Sequence, residues 1–234
     1  MKIKLITSLI VIIVIIGIFT GCINTDQNNN EDEVDKYLYD NNMLITEIVS
    51  LIDFLKENIE SLELDIKNLE MSYNKNNEEG VNLYLPKIKS FYDRYQFNIF
   101  EKQAKFGNNS KYAIDISQEL QDVLDYFIKS LNNFSIACDD LEPVFTVTFN
   151  DFNINYNSTK NLIISGNKAL NNGNKYLQRM SALLDKTDIE QYWDNSEDIN
   201  PLNSDKIVDL NNAIEKISIV ISLQEAINSW HMQP

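Results

Sequence analysis

The chain has 234 residues, 44% of them hydrophobic and 24% charged, with 6 glycines, 4 prolines and 2 cysteines. A collagen-like, disulfide-framework or wholly disordered protein is thereby excluded, and the length suits one domain, or two small ones, with ample chain for a core. Acids outnumber bases 35 to 20, a formal net charge of −15, which becomes −17 when residues 1–21 with their two lysines are set aside. No basic run is present and such a surface repels phosphate, so nucleic acid is not an expected partner.

Lys2 and Lys4 precede an almost unbroken run of Leu, Ile and Val over 5–19, which reproduces the charged and apolar regions of a secretory signal. Phe19-Thr20-Gly21-Cys22 then resembles the lipobox of prokaryotic lipoproteins, where small residues precede a cysteine that is lipidated on its thiol and becomes the mature N-terminus. The resemblance implies a signal peptide over 1–21, a lipid anchor on Cys22 and placement on the extracytoplasmic face of the cell membrane. The alternative is an uncleaved anchor, for which the 15 residues of 5–19 are short against a hydrocarbon layer of ~30 Å crossed at ~1.5 Å per residue. In both cases the positive-inside bias exports everything that follows. Residues 22–33 are polar and acidic, as expected of a flexible tether, and 34–234 hold the folded domain.

The first helix is expected from about residue 35 to Tyr73. Its apolar residues fall at Ile45, Ile48, Ile52, Leu55, Ile59, Leu62, Ile66, Leu69 and Tyr73, an alternation of three and four that gives the period of a left-handed supercoil. Val49, Leu51, Phe54 and Leu64 widen the stripe, which suits packing in a bundle. After a polar turn over 74–80, with Pro86 placed in a first helical turn, a second stripe runs Leu85, Ile88, Phe91, Tyr92, Tyr95, Ile99 and Phe100. Ser110 is the candidate N-cap of a third helix with a seam of Tyr112, Ile116, Leu120, Val123, Phe127, Leu131, Phe134, Cys138 and Leu141. Cys138 falls on that apolar face and is read as a small core residue.

Residues 144–185 match two templates. Alternation over 145–149 and 152–156 about Asn150-Asp151 fits a hairpin, whereas Phe145, Phe149, Phe152, Tyr156, Thr159, Ile163, Gly166, Leu170, Gly173, Leu177, Met180 and Leu184 keep one helical phase throughout. The helix accounts for some forty residues and the hairpin for a dozen, so helix is favoured, with Asn171-Asn172-Gly173-Asn174 as a place for a kink. Thr159, Gly166 and Gly173 then lie seven apart on the seam, where each glycine costs about 1 kcal/mol relative to alanine. Such small residues suit either a tight helix crossing or the wall of a shallow ligand cavity facing Phe145, Phe149, Phe152 and Tyr156. An acidic linker over 185–201 follows, without the spacing of a calcium loop. Ser204-Asp205 opens a last helix with Ile207, Leu210, Ile214, Ile217 and Ile221 as its stripe.

The fold class expected is all-α, an elongated bundle of four to five long antiparallel helices with coiled-coil-like seams. The chemistry of most enzymes is missing: His231 is the single histidine, four residues from the end, and there is no cysteine pair, phosphate-cradling glycine loop or serine elbow. A carboxylate-pair hydrolase is the one enzymatic reading left, with nothing to mark the pair. No metal or cofactor is expected. Sequons at Asn108, Asn133 and Asn157 offer glycosylation sites, although chance alone supplies several in so asparagine-rich a chain. The functional expectation is a non-enzymatic surface lipoprotein that contacts a protein partner or structures the envelope, with self-association through the 45–73 seam open to it. The alternative is an extracytoplasmic module that binds or senses a small ligand between helices near 145–173.

Overall fold

The computed structural model describes residues 29–109, 117–193 and 199–230. Within them are five α-helices: α1 (Asn29–Asn74), α2 (Glu78–Asn109), α3 (Gln118–Leu141), α4 (Phe149–Leu184) and α5 (Ser204–Trp230), with 3-10 turns at Glu142–Val144 and Ile189–Tyr192. No strand occurs among the described residues, so the chain is all-α and the helical template for 149–184 prevails over the hairpin. The chain divides into two compact units, 1–37 and 38–234, and the packing described below is that of the second.

The expected seams are the buried ones. On α1 the eight positions from Ile45 to Leu69 are essentially inaccessible, as are Leu120 to Leu141 on α3, which together with Leu85, Ile88, Tyr92, Tyr95 and Ile99 of α2 form one core. Burial of this many branched and aromatic side chains, at about 1.5–3 kcal/mol each, holds the helices together. Two stripe residues face out instead: Leu64 and Phe100 are more than half exposed, because each falls on the side of its helix away from its neighbours. Tyr112 and Ile116 lie outside the described residues.

Several boundaries differ from the sequence expectation, each for a local reason. α1 begins at Asn29, so the last residues of the expected tether are helical. It ends at Asn74 and the chain turns away at Asn76, whose φ of 52° is left-handed, with Asn77 N–H donating to Ser72 O at 2.9 Å and Asn76 N–H to Tyr73 O at 3.0 Å. Asn77 then caps α2, its Oδ1 accepting from Gly80 N–H at 3.1 Å, so Pro86 sits inside the helix and not in its first turn. The cap of α3 is Ser117 and not Ser110: its Oγ accepts from Leu120 N–H at 3.3 Å while its own N–H donates to Oδ1 of the buried Asn41 at 3.1 Å. Phe145 precedes α4 instead of lying in it. Thr148 caps that helix, accepting from Asp151 N–H at 3.1 Å and donating to Asp151 Oδ2 at 2.6 Å. The helix then runs unbroken past 171–174.

Cross-helix contacts give the topology. Gln103 on Asn132 and Gln96 on Asp139 run in opposite directions along α2 and α3, as do Gly166 against Leu141 and Gly173 against Phe134 along α4 and α3. Asn167 bonds Ile221 O and Asn174 bonds Ile214 O, so α4 and α5 are antiparallel too. α5 and α1 instead run parallel: Lys56–Asp209 and Lys206–Asp53 keep the same offset of 153 residues, and Lys216 reaches Glu60 and Glu63 farther along in the same direction. The expectation of antiparallel helices therefore holds for sequential neighbours and fails for this pair, since in an up-and-down series of five the first and last helices run in the same direction.

Candidate functional site

The seven-residue column on α4 is a tight crossing and not a cavity wall. A Cβ on Gly173 would lie 2.5 Å from Cε1 of Phe134, and one on Gly166 would lie 2.8 Å from Cδ2 of Leu141, so both glycines let α3 approach by yielding their own volume. Thr159, next in the column, is buried and turns its hydroxyl back to Asn155 O at 3.2 Å.

The aromatics expected to face this column are dispersed. Phe145 is buried and stacks on Tyr92 with centroids 5.7 Å apart; Phe149, half-buried, meets Tyr73 edge-on at 5.9 Å; and Phe152 is in the core. The Tyr156 side chain lies outside the described residues, as does Cys22. Of the sequons, Asn133 sits within α3 with its amide donating to Lys129 O at 2.8 Å, Asn157 is exposed on α4, and Asn108 is in the last turn of α2 with its side chain outside the described residues. The segment 194–198 of the acidic linker is likewise outside them, and among the described residues no group of three or more His, Cys, Asp or Glu is placed to hold a metal ion.

A second column, one residue along α4 from the first, escaped the sequence reading. Asn167, Asn174 and Ser181 are buried against α5: Asn174 Nδ2 donates to Ile214 O and Ser218 Oγ, both at 3.1 Å, Asn167 Nδ2 to Ile221 O at 3.4 Å, and Ser181 Oγ to Asn211 Oδ1 at 2.7 Å. Its sequence signal, a polar residue every seventh position, was present beside the glycines. The core stripe of α5 also differs from the expectation, running Leu210, Ala213, Ile217, Val220, Gln224 and Ile227, while Ile207, Ile214 and Ile221 flank it half-buried. Within that stripe Gln224 is a polar residue with no exposed surface, and its amide donates to the Tyr92 hydroxyl.

Around that contact lies a cluster of buried titratable groups. Tyr92 and Tyr95 are pushed well above the ordinary phenol range by burial and by the neighbouring Cys138. The Cys138 thiol is raised in turn by burial and, secondarily, by Asp139. A thiol held protonated in this way is a poor nucleophile, in keeping with a core residue.

On the outside, between α1 and α2, lies a groove of about 590 Å³ lined by residues that include Asp65, Leu83, Lys87, Phe91 and Arg94. Arg94 is one of two arginines in the chain. Burial pushes the Asp65 carboxyl above its ordinary value against the opposing pull of Lys87. A smaller groove of about 220 Å³ runs between α4 and α5 over Ile164, Asn167, Lys168, Asn171, Ile221 and Glu225. Among the described residues no helix is long and apolar enough to cross a membrane. No protein-family model, curated protein or solved structure matches this chain.

Proposed function

We propose that the chain is a lipid-anchored, extracytoplasmic elongated helical bundle that acts without catalysis, by holding an acidic segment of a protein partner on its α1–α2 face. The observation that carries this reading is where the openings lie. The interior column suited to a ligand cavity is filled by Leu141 and Phe134, whereas an outward groove of about 590 Å³ sets Lys87 and Arg94 beside Leu83 and Phe91. The chain as a whole carries a net charge of −15, so these two cations flanking apolar surface form a local exception that attracts acidic side chains, and arginine with aromatic residues is the composition that interfaces favour. The anchor rests on the resemblance of residues 19–22 to a lipobox, with Cys22 as the lipidated residue.

Two measurements in intact cells test the reading. Labelled fatty acid is incorporated into the full chain and lost in Cys22→Ala, with release of the protein from the membrane; incorporation that persists in the variant removes the anchor. A photo-cross-linking residue at Leu83 yields a discrete protein adduct that disappears when Lys87 and Arg94 are both replaced by Glu; an adduct indifferent to those charges removes the acidic partner. A second reading, a small polar ligand in the α4–α5 groove, is favoured by one observation: Asn167 lines that groove and its buried Oδ1 has no hydrogen-bond partner. It requires a ligand-dependent rise in melting temperature that Asn167→Leu abolishes.

A further inference from the structure

The helices are not held alike. α3 and α4 meet through apolar side chains at glycine-close range, with Leu141 over Gly166 and Phe134 over Gly173. α5 is bordered on one side by the buried polar column Asn167, Asn174 and Ser181, and on the other by ion pairs to α1: Lys206 with Asp53, Lys56 with Asp209 at 2.8 Å, and Lys216 with Glu60 at 3.3 Å and Glu63 at 3.5 Å.

Three buried polar atoms on the surfaces where α5 packs have no hydrogen-bond partner: Asn167 Oδ1, Asn174 Oδ1 and Gln224 Oε1. Each such atom carries a desolvation cost that water would relieve once the helix lifted away. The ion pairs are partly exposed, so they contribute little and are screened by salt. What retains α5 is its apolar row, Leu210, Ala213, Ile217, Val220 and Ile227. The helix is joined to α4 by the long connection between Leu184 and Ser204, so it can leave without breaking α4.

We propose that α5 is a releasable latch: it detaches as a unit while α1 to α4 remain folded, uncovering the interior cluster of Tyr92, Tyr95 and Cys138. Tyr92 is the partner of Gln224, and Cys138 lies beside both tyrosines. Departure of α5 therefore opens a path to a thiol that the closed bundle conceals. This device is independent of what binds the outer groove.

Helix-resolved amide hydrogen exchange on the unmodified full-length protein tests the latch. The expected result is that α5 amides exchange at least tenfold faster than those of α3 and α4, and faster still in 1 M sodium chloride. Exchange of α5, α3 and α4 at one common rate overturns the proposal. Labelling of Cys138 by a thiol reagent, followed in Cys22→Ser so that the other cysteine is silent, gives a second readout. Asn167→Leu, which removes an unpartnered carbonyl together with a single long hydrogen bond of 3.4 Å, should slow labelling severalfold and raise protection in α5 alone. Unchanged labelling, or protection raised equally in every helix, also overturns it.

Discussion

Gly166 and Gly173 show how far a single residue's meaning depends on what faces it. Their spacing marks a column on one side of a helix, and the cost of glycine in a helix interior requires some return. Whether the return is a cavity or a contact was undetermined until Leu141 and Phe134 were seen to occupy the space. Gly173→Leu and Gly166→Leu should therefore each destabilise the fold by about 1–3 kcal/mol or more through overpacking, read as a fall of several degrees in the thermal midpoint by circular dichroism. A tolerated leucine at both positions would mean that α3 and α4 do not approach this closely. Asn167 and Asn174 carry the opposite lesson. In sequence they are two of many asparagines, and nothing local distinguishes a buried amide from a solvated one. Only the carbonyls of Ile214 and Ile221 arriving from α5 make them seam residues.

Among the elements, the apolar phase was the reliable signal and the ends were not. The stripe from Ile45 to Leu69 is buried at every predicted position because two neighbouring helices and the core leave no other face for it. Phe145 keeps the helical spacing to Phe149 and Phe152 and so reads as part of α4, whereas Thr148, paired with Asp151 three residues later, is the cap that sets the start at Phe149. Ser117 could not have been preferred to Ser110 on local grounds, since the partner that fixes its N–H, Asn41, lies 76 residues away.

The α1–α5 seam predicts a pH response. Burial acts to raise the Glu63 carboxyl, but its hydrogen bond to Lys67 and the charges of Lys67 and Lys216 outweigh it and hold the group below its ordinary value of 4.5. A carboxyl depressed in the folded state contributes stability above its unfolded value, and that contribution is lost as pH falls from about 4.5 through the lower folded value. Glu63→Gln should cost about 1 kcal/mol at pH 7, and its stability should converge with that of the parent near pH 3. Denaturant unfolding across pH 3 to 7 checks both ends, and parallel curves would exclude Glu63 as a contributor.

For the whole molecule, closure is the new information. Antiparallel pairs follow one another from α1 to α5, and the circuit is completed by the parallel contact of α5 with α1 and by Gln224 reaching Tyr92 inside. Tyr92→Phe should destabilise the protein by about 1–3 kcal/mol because it leaves the Gln224 amide buried without an acceptor. Adding Gln224→Leu should restore most of the loss, and a double-mutant cycle measures the coupling directly. Additive losses would mean that the two side chains do not depend on each other.

By itself the sequence determined the all-α class, the buried faces of α1 and α3 and the core placement of Cys138, because periodicity and residue type act over a few turns of one chain segment. The same short range makes Phe19 to Cys22 legible as a lipobox-like stretch. The tertiary structure alone decided the parallel return of α5, the filling of the glycine column, the polar seam of Asn167 and Asn174 and the outward groove with Lys87 and Arg94. Each of these depends on which distant side chain arrives opposite a given face, a matter settled by the register between helices and not by the pattern along any one of them.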